Sequence, residues 1–146
     1  NSIVGSGFGA EDFTNDMGIH STENEQEILF ARNELSIASK AANVIALDTP
    51  FFAFKNPESL RNNSLFARSI GFKGKFAIHP AQIDIINECF SPSQKEIDHA
   101  IKVIEIFEEA KKQGRGSTSL DGLVIDVPVV KRAESLLKIS KDMGKI

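Results

Sequence analysis

The sequence predicts an α/β fold with a parallel sheet, and three observations carry that prediction. Short apolar runs at Ile3-Val4, Val44-Ile45-Ala46-Leu47 and Lys75-Phe76-Ala77-Ile78 each end in glycine or polar residues. Between them, apolar residues recur at three- and four-residue steps, the period of a helix packed along one face. Strands that alternate with helices imply parallel strands joined by right-handed crossovers. Beyond Phe90 the alternation stops, and two helical periods flank a segment rich in Gly, Ser and Thr.

The first run leads into Gly5-Ser6-Gly7-Phe8-Gly9-Ala10-Glu11-Asp12-Phe13. Glycines there let backbone approach a ligand without a Cβ in the way. Asp12 falls where the carboxyl end of a parallel strand opens into a loop, the place where α/β folds put their sites. A polar connection with Gly18 and His20 follows. Thr22 and Glu25 then have the spacing of a capping box, and Ile28, Ala31, Leu35, Ala38 and Ala42 mark a helix of about five turns. Asn43 suits its left-handed cap. The run 44–47 reads as a strand buried on both faces, ending at Asp48-Thr49-Pro50.

The cycle repeats through Phe51-Phe52-Ala53-Phe54 to Asn56-Pro57, a cap followed by proline at the first helical position. Leu60, Ser64 and Ala67 give that helix its face, and Gly71 stops it. The third strand ends in His79-Pro80-Ala81-Gln82, and Pro80 opens a short helix with Ile83, Ile86 and Phe90. Ser93 and Glu96 form another capping box, opening a long helix with Ile97, Ala100, Ile104 and Phe107 that Gly114 ends. Residues 115–122 read as a flexible hinge or lid. Leu123-Val124-Ile125-Asp126-Val127-Pro128 sets one carboxylate among apolar residues, and a last helix carries Ala133, Leu136, Leu137 and Ser140.

With 146 residues, 41% of them hydrophobic, and a net charge of -3, the composition is that of an ordinary globular domain. The acidic balance gives no footprint for nucleic acid or an anionic membrane surface. No apolar run reaches the roughly 20 residues of a membrane span. The single cysteine, Cys89, excludes an internal disulfide and reads as a buried thiol. The chain opens inside an element with no initiator methionine and no signal peptide, so a piece of a longer cytoplasmic protein is expected, or a mitochondrial matrix protein in a eukaryotic source. Three strands are too few to close a barrel, and a (β/α)₈ barrel needs about 250 residues. The three units resemble its last three, giving a partial barrel over 1–92 and a helix-lid-helix extension over 93–146.

Four stretches together resemble the citrate lyase beta-subunit-like family, which includes malyl-CoA and citramalyl-CoA lyases. They are Gly9-Ala10-Glu11-Asp12-Phe13, Ala46-Leu47-Asp48-Thr49-Pro50, the run from Gly71 to Ile83, and Gly122-Leu123-Val124-Ile125-Asp126-Val127-Pro128; Phe90-Ser91-Pro92-Ser93 fits the turn into the C-terminal helix. They occur in the family's order and span nearly the whole chain. The resemblance implies a Mg²⁺-dependent lyase that splits a hydroxyacyl-CoA thioester into acetyl-CoA or propionyl-CoA and a 2-oxo acid. It implies that Asp12 is one of two carboxylate ligands to magnesium and that Gly9, Ala10, Glu11 and Asp12 hold the oxo acid. It assigns Ile78, His79 and Pro80 to the coenzyme A pocket. Asp126 becomes the acid or base that a C-terminal lid delivers to a neighbouring subunit, so a homo-oligomer, trimer or hexamer, is expected. The second metal-ligand Glu and a substrate-binding Arg belong to the family's preceding part, absent from these residues.

The residue chemistry agrees with that assignment. Magnesium is a hard cation that takes carboxylate and oxo-acid oxygens, and a thioester enolate needs a proton donor near neutral pH. Closure of a lid over Asp126 would desolvate its carboxyl and raise its pKa. Asp48 reads either as a residue lining the site or as a turn residue before Thr-Pro. Lys73 and Lys75 are weak candidates for coenzyme A phosphates, and His20 and His99 read as solvated. One alternative is a non-catalytic coenzyme A-binding or assembly module derived from such a lyase. A dinucleotide-binding fragment is the remote alternative. The glycine spacing in 5–10 departs from the fingerprint, no helix is expected directly after it, and the strand-ending Asp48 comes about twice as far on as the acidic residue expected about 20 residues along.

Overall fold

The computed structural model describes residues 3–22, 24–53 and 55–146. Asn1 at the expected chain start and Phe54 at the end of the 51–54 run lie outside the described residues, as do Ser2 and Glu23. The chain divides into two compact units between Phe90 and Ser91.

The first unit is a three-stranded parallel sheet with helices. Strand β1 is Gly5–Gly7, followed by α1 (Ala10–Met17) and α2 (Gln26–Ala41). Then come β2 (Ile45–Asp48), α3 (Pro57–Ser69), β3 (Gly74–Lys75), a 3₁₀ turn over Pro80–Gln82, and α4 (Ile83–Phe90). The strand order is β1-β2-β3, with Gly7 opposite Leu47 and Asp48 opposite Lys75. Side chains alternate across a strand, so Ala46 and Asp48 point to one face of β2 while Ile45 and Leu47 point to the other. Helix α2 packs on the Ala46–Asp48 face. Phe8, Ala10 and Ile28 form one core cluster, and Ala46, Ala67 and Phe72 form another. The opposite face is open, and Ile45 is 51% exposed. The expectation that β2 is buried on both sides therefore holds for one side only.

Several expected boundaries move. The first strand lies in the glycines, not in Ile3-Val4, because the ladder to β2 starts at Gly5. Gly7 suits that place: a Cβ there would come 2.6 Å from the Phe76 ring, so only glycine admits this ring over the strand. A helix, α1, does begin directly after Gly9, correcting the polar loop expected there; Gly18, with φ +67°, ends it. Thr22 and Glu25 form no capping box. Glu25 instead takes a left-handed conformation at the start of α2, and Thr22 bonds the Glu27 carboxylate through its N–H and its hydroxyl. Strand β3 is confined to Gly74–Lys75, not 75–78, and among the described residues it pairs with β2 alone. The Asn56 cap is formed, its side-chain oxygen accepting from Ser59 N–H at 3.1 Å. Leu60, Ser64 and Ala67 are buried as the helical face requires.

The second unit contains α5 (Gln94–Lys112), a β-hairpin of β4 (Thr118–Leu120) and β5 (Leu123–Ile125), and α6 (Val127–Asp142). The Ser93–Glu96 capping box is present in both directions. Of the segment 115–122 expected to be flexible, residues 115–117 lie outside regular structure and the rest enters a β-hairpin. Asp121 and Gly122, with φ of 50° and 81°, make the two-residue turn of an antiparallel hairpin, as an Asp-Gly pair between apolar runs favours. The hairpin's Leu120 and Ile125 join Ala100, Val103, Phe107, Val130 and Ala133 in the core. Among the described residues, no helix is long and apolar enough to cross a membrane.

Candidate functional site

The carboxyl ends of the three parallel strands of the first unit bring together three of the stretches singled out in the sequence. Gly9 is the N-cap of α1, and its carbonyl accepts from Phe13 N–H at 3.0 Å. Glycine has no side chain with which to cap a helix, and the first N–H groups of a helix have no intrahelical partner. One of them is satisfied from the neighbouring strand end: Ala10 N–H donates to the Thr49 hydroxyl oxygen at 3.3 Å. Glu11 and Asp12 are exposed in the first helical turn. The Glu11 carboxylate accepts from the Ser21 hydroxyl at 3.0 Å, so it is anchored to the α1–α2 loop. Asp12 stands beside Gly9, where an added Cβ would meet its Oδ2 at 3.5 Å.

The third strand end joins this group through Gln82. Its side-chain oxygen accepts from Ile78 N–H at 2.9 Å and from His79 N–H at 3.3 Å. Its amide nitrogen donates to the Phe51 carbonyl at 2.7 Å. His79 Nδ1 accepts from Ala81 N–H at 3.2 Å, so this ring nitrogen is engaged in capping the turn that Pro80 opens. Ile78, His79 and Pro80 are all exposed, while Gln82 is buried. Gln82 has no mark in the sequence beyond its place after His-Pro-Ala.

Beneath these loops lies a buried ion cluster that sequence reasoning missed. Arg32, on α2, holds Asp48 with two parallel bonds, Nε to Oδ1 at 3.0 Å and Nη2 to Oδ2 at 2.8 Å. Lys75 Nζ donates to Asp48 Oδ2 at 2.6 Å. Arg32 Nη1 also reaches Glu25 at 2.7 Å, and Glu25 in turn accepts from Asn63 Nδ2 at 2.7 Å. Asp48 is 0% exposed and Arg32 1%. Burial pushes the Lys75 ammonium below the usual lysine range, and the Asp48 carboxylate beside it pulls the other way. Asp48 is thus neither a site-lining group nor an ordinary turn residue, and the Lys75 ammonium is buried against it. Lys73 is exposed. The signal available was the charged Arg32 one helical step from Ile28 and Leu35, on a face of α2 that also buries Ser36 and Ser39.

A cavity of about 680 Å³ opens beside the cluster, lined among others by Glu11, Thr22, Glu25, Arg32, Phe51 and Asn63. That volume is within the range of small-molecule sites. Among the described residues its lining holds one arginine, Arg32, engaged by Asp48 and Glu25, together with carboxylates, amides and the rings of Phe51 and Phe66.

Asp126 belongs to the second unit, where it is the N-cap of α6: Oδ1 accepts from Val129 N–H at 3.2 Å. It is half-buried, whereas Leu123, Val124 and Val127 around it are exposed. Cys89 is buried, and burial pushes its thiol up from the usual range despite the opposing charge of Arg61.

A carboxylate is the donor type that magnesium takes, and Asp12 presents one at a strand's carboxyl end, so it fits as a single ligand. Among the described residues, no group of three or more His, Cys, Asp or Glu side chains is gathered to complete a metal site.

The profile of the HpcH/HpaI aldolase/citrate lyase family matches residues 1–80. The chain belongs to that family. Over 94% of its length it is 38% identical to citrate lyase subunit beta of Leuconostoc mesenteroides subsp. cremoris, covering 46% of that protein. Over 91% of its length it is 34% identical to the mitochondrial citramalyl-CoA lyase of Rattus norvegicus, covering 39% of that one. The chain thus spans less than half the length of these two relatives. Its fold matches the CitE protein of Mycobacterium tuberculosis, solved in complex with magnesium, acetoacetate and coenzyme A. The TM-score is 0.84 at 25% identity, over 97% of this chain and 53% of that one. Family membership weighs against the dinucleotide-binding alternative, although α1 does follow the glycines directly.

Proposed function

We propose that this chain is the C-terminal part of a Mg²⁺-dependent carbon–carbon lyase acting on a hydroxyacyl-CoA thioester of the citryl-, malyl- or citramalyl-CoA type. The observation that carries the reading is the Gly9–Asp12 turn. It sets a carboxylate and the open end of a helix side by side at the carboxyl edge of a parallel sheet. The open apolar face of that sheet supports the partial-barrel assignment of residues 1–92, since parallel sheets are normally covered on both faces. Residues 93–146 are the helical extension.

In this reading Asp12 is one magnesium ligand, and the N–H groups of the Gly9–Asp12 turn receive the carboxylate of the oxo acid. The turn at Ile78, His79 and Pro80 borders the coenzyme A pocket. The bound metal supplies Lewis-acid stabilisation of negative charge on the substrate's oxygen. Cleavage removes the proton from the hydroxyl, breaks the bond between the carbinol carbon and the thioester α-carbon, and forms the oxo group. The electrons of that bond pass to the thioester as an enolate, which takes a proton at the α-carbon to leave as acetyl-CoA or propionyl-CoA. Asp126 of a neighbouring subunit is the group that moves the proton, which makes the active protein a homo-oligomer.

The test is cleavage of these thioesters by the complete protein with and without magnesium. Asp12→Ala should abolish metal-dependent turnover. Asp126→Asn keeps an N-cap of equal quality but cannot exchange a proton, so turnover should fall by at least about a hundredfold, the usual scale of acid–base catalysis. Metal binding and stability should be unchanged. Full activity in both variants would refute the site, and a complete wild-type protein that binds coenzyme A thioester without cleaving it would favour a non-catalytic module.

A further inference from the structure

We propose that Thr49 is a positioning residue for the Gly9–Asp12 turn, held in place by the buried ion cluster behind it. The inference rests on the reading of that turn as the metal and oxo-acid site. A helix that begins at a glycine lacks its own side-chain cap. Here the acceptor comes from the next strand, 39 residues along the chain: the Thr49 hydroxyl takes the Ala10 N–H. Thr49 is 1% exposed, so its hydroxyl is shielded from bulk water. With the Ala10 N–H on Thr49 and the Phe13 N–H on Gly9, the N–H groups of Glu11 and Asp12 are the first-turn donors that no described residue accepts, next to the Asp12 carboxylate. Their direction follows from where Thr49 holds the helix.

Thr49 is itself tightly fixed. Asp48 before it carries the bidentate Arg32 contact and the Lys75 contact, and its carbonyl accepts from Phe76 N–H at 3.0 Å. Pro50 after it restricts Thr49 to extended backbone. On the other side, Phe8 N–H donates to the Leu47 carbonyl at 3.1 Å, which ties the strand end leading into the turn to the same part of β2. A residue whose sole duty was to fill space would need neither the hydroxyl nor this anchorage. The structure therefore gives the Asp-Thr-Pro stretch a role in orienting the oxo-acid site without touching the ligand.

The test compares Thr49→Val, which keeps the shape and removes the acceptor, with Thr49→Ser, which keeps the hydroxyl. Binding of pyruvate with Mg²⁺ to the complete protein is followed by calorimetry, and hydrogen exchange of the Ala10 amide by NMR. In Thr49→Val, affinity for pyruvate with Mg²⁺ should fall about tenfold and the Ala10 amide should exchange about tenfold faster, the scale of one lost hydrogen bond. KM for the thioester should change less than kcat, and Thr49→Ser should restore both readouts. Should Thr49→Val not fold, Thr49→Ala gives the same two readouts. A folded variant without the hydroxyl that binds pyruvate and Mg²⁺ as the wild type does would overturn the positioning role while leaving the site reading intact. If the wild type itself binds no pyruvate with Mg²⁺, the site reading fails and the inference falls with it.

Discussion

Replacing Arg32 by methionine tests the buried cluster directly. The side chain remains long and apolar, but Asp48 loses both guanidinium bonds and keeps only Lys75. With Arg32 present, its charge and that of Lys75 balance those of Glu25 and Asp48. Without it, one carboxylate is uncompensated. Glu25 is one-fifth exposed and can hydrate, whereas Asp48 cannot. Breaking a buried pair by removing one partner costs about 3–5 kcal/mol, and the remaining Lys75 contact puts Arg32→Met near the lower end, about 3 kcal/mol. Loss of the guanidinium from above the Phe66 ring, 5.3 Å away, adds roughly 0.5 kcal/mol at this half-exposed aromatic. With a urea m-value of about 1–3 kcal/mol/M, the midpoint for unfolding should drop by roughly 1–3 M. Replacing the three fully buried members (Arg32→Met, Asp48→Leu, Lys75→Met) should recover most of that loss, because the one charge left, Glu25, is one-fifth exposed and can hydrate. A single Arg32→Met variant that loses less than about 1 kcal/mol would refute the account of the cluster as a coupled buried unit.

Two further outcomes follow from single positions. Gly71 sits at φ +108°, and a Cβ there would come 2.4 Å from the Ser36 hydroxyl oxygen, so Gly71→Ala should destabilise by more than about 1 kcal/mol in thermal unfolding. An unchanged midpoint would show that the turn relaxes. Burial and the upward shift of its thiol pKa keep Cys89 protonated at pH values where a free thiol begins to ionise. Alkylation in the native protein should therefore run at least about tenfold slower than in urea, and equal rates would contradict the burial.

The order of strands and helices was legible because each strand end carries its own local punctuation, and the helices between them carry a plain 3.6-residue period. The same locality explains the misses. Thr22 and Glu25 have capping-box spacing, yet Glu25 is drawn away to Arg32 and Asn63, and Glu27 takes Thr22 instead. Asp48 looked like a turn residue because its partners lie 16 and 27 residues away in the chain, a separation no spacing rule reads. Thr49 is hidden in the same way, its partner being on the preceding strand's loop. The hairpin at Asp121-Gly122 is a different case. Its turn signal was in the sequence, and the surrounding Gly, Ser and Thr made the segment look looser than it is. Of the proposed site, the Gly9–Asp12 and His79–Pro80 stretches were visible as strand-end residues, but what holds them was not.

The charges in the cluster also bear on how β2 finds its register. Ala46 and Asp48 share the helix-covered face, and Ile45 and Leu47 the other. A slip of one residue in β2 would turn Asp48 to the open face and send Leu47 toward Arg32 and Lys75. Two buried cations would then lose their only buried anion, a penalty much larger than any mismatch among the small apolar residues of this sheet. Ala46 and Leu47 are both tolerable on either face, so the apolar pattern of 44–47 specifies the register weakly, and Asp48 specifies it strongly. The same contact that selects the register also fixes the backbone of Thr49. The pairing of β2 that satisfies Asp48 also brings the Thr49 hydroxyl to 3.3 Å from the Ala10 N–H, so register and placement of the Gly9–Asp12 turn are coupled through two adjacent residues.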